Sequence, residues 1–435
     1  MTSAPTATPN AASASFAPTL AGARVLDATD PLAPLRSEFL FPRAANGEPA
    51  LYFCGNSLGL QPRGVRAALD EELEDWARLA VDAHFEGRHP WYSYHEQFRY
   101  SGARLVGARP GEVVLMNSLT VNLHLLLASF YRPTAKRYRI LIDEPAFPSD
   151  RYVVTSQLAH HGFDPREGLL TVAPRPGAHT VAPEQLEELL ASRGDEIALV
   201  LLGAVNFFSG QLFDLPRLAR AAHAAGATFG LDLAHAAGNV ELALHDWEVD
   251  FAAWCSYKYL NAGPGAVAGA FVHERHGANL ALPRLAGWWG NDPVTRFQMH
   301  LQPEFVPRSG AEGWQLSNPP ILALAPLRSS LALFDRVGMP ALRQKSERLT
   351  GYLEFLLDRL PGGTLELITP RTPAARGCQL SLLVRKDPER LKAALTAGGA
   401  VCDFRPPNVL RVAPVPLYNR FEDVFRLFEL LRQAS

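Results

Sequence analysis

Apolar positions change period several times along the chain, and those changes predict its elements. Residues 65–79 repeat apolar side chains at helical spacing, with Glu71, Glu72, Glu74 and Asp75 on the wet face, which predicts an amphipathic helix. A loop rich in aromatics follows at 84–94, and 97–106 returns to the helical period. Short apolar runs at 113–116, 139–142, 197–202, 228–231, 251–255 and 269–272 predict strands. The almost unbroken run at 197–202 marks a strand buried on both faces, as in a parallel sheet. Helical stretches at 121–130 and 215–225 separate them, the second opened by Asp214 and Pro216 and closed by Gly226. Strands alternating with helices predict an α/β fold with a mainly parallel sheet. Beyond residue 320 the pattern changes to long helices at 322–337 and 341–360, strands at 378–384 and 409–412, and a closing helix at 420–431. That reads as a smaller α+β domain. The expected division is a disordered tail at 1–22, an N-terminal segment packing with the small domain at 23–60, a large α/β domain at 61–315 and the small domain at 316–435.

Composition narrows the class without choosing a function. With 435 residues, 47% hydrophobic and 20% charged, the chain has room for two globular cores. A formal net charge of −2 speaks against a nucleic-acid or polybasic membrane binder, and no apolar run reaches membrane-spanning length. The four cysteines, Cys54, Cys255, Cys378 and Cys402, are scattered without metal-ligand spacing. No metal is expected, and a reducing cytoplasmic setting fits. The first twenty residues are small, polar and proline-containing, without the early charge and apolar core of a signal peptide; the first arginine is Arg24.

Two strand ends carry candidate chemistry. The strand at 113–116 runs through Asn117-Ser118-Leu119-Thr120 into a helix, which aims backbone N–H groups at an anion, phosphate being the usual one. Asp232 ends the strand at 228–231, and Lys258 follows the strand at 251–255 within Ser256-Tyr257-Lys258-Tyr259, ahead of Gly263-Pro264-Gly265. Taken singly, such a lysine reads as a snorkelling surface residue and such an aspartate as a turn or cap. Together, at the carboxyl ends of parallel strands where ligands bind, they suit pyridoxal 5′-phosphate (PLP). The lysine would hold the aldehyde as a Schiff base, and the aspartate would keep the ring nitrogen protonated.

The run DLAHAAGNVELALHDWEVDFAAWCSYKYLNAGPG, with SLTVNLHLLL, FPSD and SNPPIL, resembles the kynureninases from about residue 50 onward. These are PLP-dependent hydrolases of the fold-type-I, class V aminotransferase group, with a large, mainly parallel domain and a smaller α+β domain. The resemblance implies hydrolytic Cβ–Cγ cleavage of L-kynurenine or its 3-hydroxy derivative to anthranilate or 3-hydroxyanthranilate plus L-alanine, within tryptophan catabolism and NAD-related metabolism. It also implies a homodimer with shared active sites. By residue, it makes Lys258 the Schiff-base lysine and the base for the Cα proton. Asp232 then faces the ring nitrogen with His235 close behind, and Leu119, Thr120 and Tyr257 hold the phosphate. Phe147 stacks on the ring, supported by Asp150, while Trp288 and Asn318 reach the cofactor from the neighbouring subunit. Tyr257 is also implied as a proton carrier. Arg411 matches the residue that grips the substrate carboxylate, and His84, Trp289, Ser317 and Asn318 match positions around the substrate ring.

One position departs from the pattern: Gly203 stands where relatives often carry Ser or Thr, and Asn206 nearby is a further candidate. Three rivals are weighed against this reading. A cysteine desulfurase or selenocysteine lyase would need a mobile catalytic cysteine, for which Cys378 is the position to check. A non-catalytic PLP-fold binding protein would be expected to have lost Asp232, Lys258 and Arg411. A nucleotide-binding dehydrogenase would need a GxGxxG motif after a first strand, and none is present.

Overall fold

The computed structural model describes residues 16–302 and 304–434. Its centre is a seven-stranded sheet: β1 (Val113–Leu115), β2 (Arg139–Asp143), β3 (Leu169–Val172), β4 (Ile197–Gly203), β5 (Thr228–Asp232), β6 (Phe251–Trp254) and β7 (Gly269–Val272). In space the order is β1-β7-β6-β5-β4-β2-β3. Every pair is parallel except those of β7, which runs antiparallel to both β6 and β1. Apolar clusters cover both faces, one including Val200, Leu202, Leu231 and Trp254, the other Leu199, Leu201 and Ala253. Alternation of side chains along a strand feeds the two layers.

The helices that matter for the site are α1 (Leu20–Ala28), α2 (Val65–Leu79), α3 (Leu119–Phe130), α4 (Pro148–His160), α5 (Leu215–Ala224), α6 (Ile321–Val337), α7 (Met339–Leu357) and α8 (Phe421–Ala434). Helix α3 begins two residues before the periodicity at 121–130, so Leu119 and Thr120 lie in its first turn. Strand β3 and helix α4 are additions to the sequence reading. Leu169–Val172 has only its last residue buried, so it lacks the continuous apolar run of the other strands. Helix α4 has its apolar residues too evenly spread to show a strong stripe.

A second sheet is antiparallel: β8 (Leu365–Leu367), β9 (Leu380–Val384), β10 (Asp403–Arg405) and β11 (Val409–Val412), in the order β8-β9-β11-β10. Its core joins Leu380, Leu382 and Val412 to Leu349, Leu353 and Leu356 of α7, Leu427 of α8, and Ala23 and Leu26 of α1.

Two expected boundaries are corrected. The tail expected to be disordered through residue 22 is packed from Phe16 onward. Its ring meets Tyr352 and Phe355 at 5.3 and 5.6 Å, and α1 starts at Leu20 on the Thr19 cap. Residues 1–15 of that expectation lie outside the described residues. The boundary at 316 cuts through the large core instead of following its edge: α6 buries Leu324, Leu327, Leu331 and Phe334 there, and α7 adds Leu342. The core of the small sheet takes over from Leu349, so α7 spans both. Apolar stripes dictate that a helix is buried, and the partner it is buried against is a tertiary choice.

Candidate active site

The carboxyl ends of β2, β4 and β5, the turn after β6 and the first turns of α3 and α4 surround one cleft. Ligands bind at the carboxyl edge in sheets of this kind. At one end the chain leaves β1 through Asn117, whose φ of 50° lies in the left-handed region that asparagine tolerates. Ser118 then caps α3 by position while its hydroxyl makes no capping bond. The first-turn amides of α3 have no partner inside the helix. Thr120 Oγ1 lies 3.0 Å from Ser149 Oγ in the first turn of α4. Two helix N-termini and three hydroxyls therefore converge, and Tyr257 joins the same lining. This end is built for an anion.

Lys258 is placed by a turn fixed from several sides. The Tyr257 carbonyl accepts from Gly59 N at 2.8 Å, the Lys258 carbonyl from Asn261 N at 3.0 Å, and the Ser256 carbonyl from Ala262 N at 3.0 Å. Asn261, with φ 54°, and Gly263, with φ 90°, turn the chain away, so the lysine side chain is left pointing into the cleft, 8% exposed. Its Nζ lies 3.1 Å from His235 Nε2 and 5.7 Å from the centre of the Phe147 ring. Burial, then the Lys258 charge, holds the His235 imidazole well below its usual range, so it is neutral. Nε2 accepts from the lysine, which leaves Nδ1–H, buried and without a hydrogen-bond partner.

Three carboxyls form the floor. Asp232 accepts from Ala234 N at 2.6 Å and is buried, as is Asp150. Burial pushes both upward, Asp150 further because the Asp232 charge also opposes it, while the Lys258 charge pulls Asp232 back. Asp143 is pushed up to about 6 by burial, against a hydrogen bond from Asn206 Nδ2 at 2.8 Å. The residues fit a flat aromatic aldehyde with a phosphate arm. An amine faces a carboxylate across the floor, Phe147 offers a partly exposed ring, and the anion end lies beyond. A Cβ added to Gly203 would meet only the Val205 carbonyl, at 3.8 Å, so that wall has room.

Leu119, Thr120, Phe147, Asp150, Asp232, His235, Tyr257 and Lys258 all line this cleft, and so does Asn206. Arg411 does not; it is buried behind the wall, with Nη1 donating to the Phe207 carbonyl at 2.6 Å. His84 and Asn318 line a separate depression with Trp91, while Trp288 and Trp289 pack edge to face at 4.7 Å, and Ser317 is exposed. Within one chain these five are not brought to Lys258. Asp143, Ser149 and Phe207 are wall residues that sequence reasoning missed. Asp143 had a signal, a carboxylate at the end of an apolar strand like Asp232, and Ser149 lies inside the FPSD motif; Phe207 had none.

Among solved structures the chain is similar to the Escherichia coli cysteine desulfurase CsdA in its S-sulfonic acid form. The TM-score is 0.75 at 17% identity, covering 93% of this chain and 98% of that one. It is also similar to a C-DES variant with glycine covalently linked to the PLP cofactor, with a TM-score of 0.74 at 17% identity over 88% of this chain and 96% of that one. At such identity the likeness is one of fold, and the fold is that of the class V, fold-type-I PLP enzymes. Sequence is more specific. Residues 342–431 match the kynureninase C-terminal domain. Over 409 residues the chain is 57% identical to the kynureninase of Myxococcus xanthus (strain DK1622), covering 94% of this chain and 96% of that protein. It is 53% identical over 418 residues to that of Koribacter versatilis (strain Ellin345), covering 96% and 98%. The chain belongs to the kynureninase family.

Proposed function

We propose that this protein is a PLP-dependent hydrolase that cleaves the Cβ–Cγ bond of L-kynurenine or 3-hydroxy-L-kynurenine, releasing an anthranilate and L-alanine. The observation that carries the reading is the floor of the cleft, where Lys258 Nζ meets neutral His235 beside the buried Asp232–Asp150 pair. When bound, PLP supplies the electron sink that allows bonds at Cα and Cβ to break. Lys258 would hold the cofactor aldehyde, and its amine would be the base that takes the substrate Cα proton. Asp232 would keep the ring nitrogen protonated, and the raised Asp150 carboxyl beside it would lessen the repulsion between two buried acids. Thr120, Ser149 and the first-turn amides of α3 hold the phosphate. The Tyr257 hydroxyl, kept protonated by burial, moves a proton between solvent and substrate. Arg411 takes the substrate carboxylate.

The separate depression of His84, Trp91 and Asn318 supports a homodimer in which one chain supplies the ring-binding side of its partner's cleft. Among the described residues no helix is long and apolar enough to cross a membrane, and a cytoplasmic setting is part of the proposal. A desulfurase reading has less support. Cys378 is fully buried with its thiol pushed up to about 12, and none of the four cysteines lines the cleft. The test is turnover of both substrates with alanine and anthranilate quantified. Lys258→Ala should abolish turnover and the imine absorbance; a variant retaining more than about a hundredth of wild-type rate would refute the lysine's role.

A further inference from the structure

Arg411 in β11 lies directly across the sheet from Asp403 in β10. The pair is two-pronged: Arg411 Nε donates to Asp403 Oδ1 at 3.2 Å and Nη2 to Oδ2 at 2.7 Å. Arg405, two residues along β10, reaches the same carboxylate, with Nε 2.9 Å from Oδ1 and Nη2 3.0 Å from Oδ2. Two guanidiniums share one carboxylate, so the cluster keeps positive charge. Arg411 Nη1 points the other way, to the Phe207 carbonyl, which also accepts from Gln379 Nε2 at 3.1 Å. Phe207 lines the lysine cleft, with its ring 5.3 Å from that of Phe147. The charges of Arg411 and Arg405 both contribute to holding His235 neutral, which places the cluster within electrostatic reach of the floor.

A guanidinium offers two bidentate edges, Nε with Nη2 and Nη1 with Nη2. Asp403 occupies the first; on the second, Nη1 already donates to the carbonyl of Phe207, a residue of the cleft wall. We propose that Asp403 is a positioning residue that locks the Arg411 guanidinium by its Nε/Nη2 edge, so that Nη1 is held toward the Phe207 wall of the cleft, where the substrate carboxylate would replace the Phe207 carbonyl as its partner. The cross-strand pair thereby commits the site to α-amino acids over the corresponding amines. The proposal rests on the reading of Arg411 as the carboxylate-binding residue. Holding the fork in place reduces the ordering that carboxylate binding would otherwise cost. Electrostatics alone gives the opposite sign, because a resident anion beside Arg411 would weaken the pull on a second carboxylate.

The test compares wild-type, Asp403→Asn, Asp403→Ser and Arg411→Gln holoenzymes, with circular dichroism as the folding control. Asn and Ser both keep the backbone N–H of Asp403, so neither substitution removes a backbone bond, and whichever variant folds carries the test. Turnover of L-kynurenine is measured alongside binding of its decarboxylated analogue, read from the cofactor absorbance. The Asp403 variants should raise KM for L-kynurenine about tenfold, with kcat within about threefold and affinity for the analogue within about twofold of wild type. An unchanged or lowered KM overturns the positioning role. Arg411→Gln should erase the preference for the carboxylated ligand. If it does so while the Asp403 variants keep that preference, positioning alone fails; if Arg411→Gln also keeps it, the reading of Arg411 fails first.

Discussion

Replacing Asp143 with Asn should make the protein more stable at pH 8 while leaving it nearly unchanged at pH 4. Asp143 ends β2 fully buried, and Asn206 donates to its Oδ2, a bond that the amide oxygen of an asparagine can also accept. In the folded chain the carboxyl loses its proton at about 6, against an ordinary 3.8, because burial penalises the charged form. As pH rises through that interval, the unfolded chain ionises first and the folded chain retains its proton. The folded state therefore binds more protons, and stability falls with pH. At about 1.36 kcal/mol per pH unit, a gap of about two units amounts to about 3 kcal/mol, absent below pH 4 and complete above pH 6. Nearby Asp232 also disfavours the negative charge, so part of the relief is shared with it. The assay is urea unfolding of wild type and Asp143→Asn at half-unit pH steps from 4 to 8, with the difference between the two proteins plotted against pH. Titrations common to both cancel in that difference. A flat difference would refute the reasoning, and a difference that favours wild type at high pH would show that ionised Asp143 is stabilised by partners.

Asp250 follows the opposite rule. It accepts from Phe229 N at 2.7 Å, His223 Nε2 at 2.9 Å and His276 Nε2 at 2.6 Å, and pairs with Arg275; these bonds hold its carboxyl far below the usual range. Asp250→Asn should cost about 3–5 kcal/mol by breaking a buried charge network, read as a lower urea midpoint at pH 7. The wild-type advantage is present above the ordinary carboxylate range and persists far into acid, so it should not fade between pH 7 and 4. Gly269→Ala would drive a methyl into the Trp254 ring across the β7–β6 pair, an overlap that should cost about 3 kcal/mol and lower the thermal midpoint. Gly203→Ser, by contrast, enters open space beside the cleft and should tighten PLP about fivefold in a cofactor titration, the equivalent of one hydrogen bond of about 1 kcal/mol.

The strands at 139–142, 197–202, 228–231 and 269–272 were legible because short apolar runs alternating with helical stretches fit strands of a covered parallel sheet. Lys258 and Asp232 were legible for a local reason too: a charged group at the end of an apolar strand falls at the edge where ligands bind. The antiparallel direction of β7 was not, since a strand's apolar pattern is the same read in either direction. Asp403 lies eight residues from Arg411 and shows nothing in sequence to single it out; the pairing of β10 with β11 brings the two together. Asp150 and Asp143 reach Asp232 from another helix and another strand, and it is their shared burial that pushes all three carboxyls upward. The sequence by itself determined most of the elements, the family and the residue types of the chemistry, because periodicity and motif are local properties of the chain. Tertiary structure decided that α6 serves the large core, that Arg411 is clasped from behind and that His235 is neutral, because partners, desolvation and charge depend on distances across the fold.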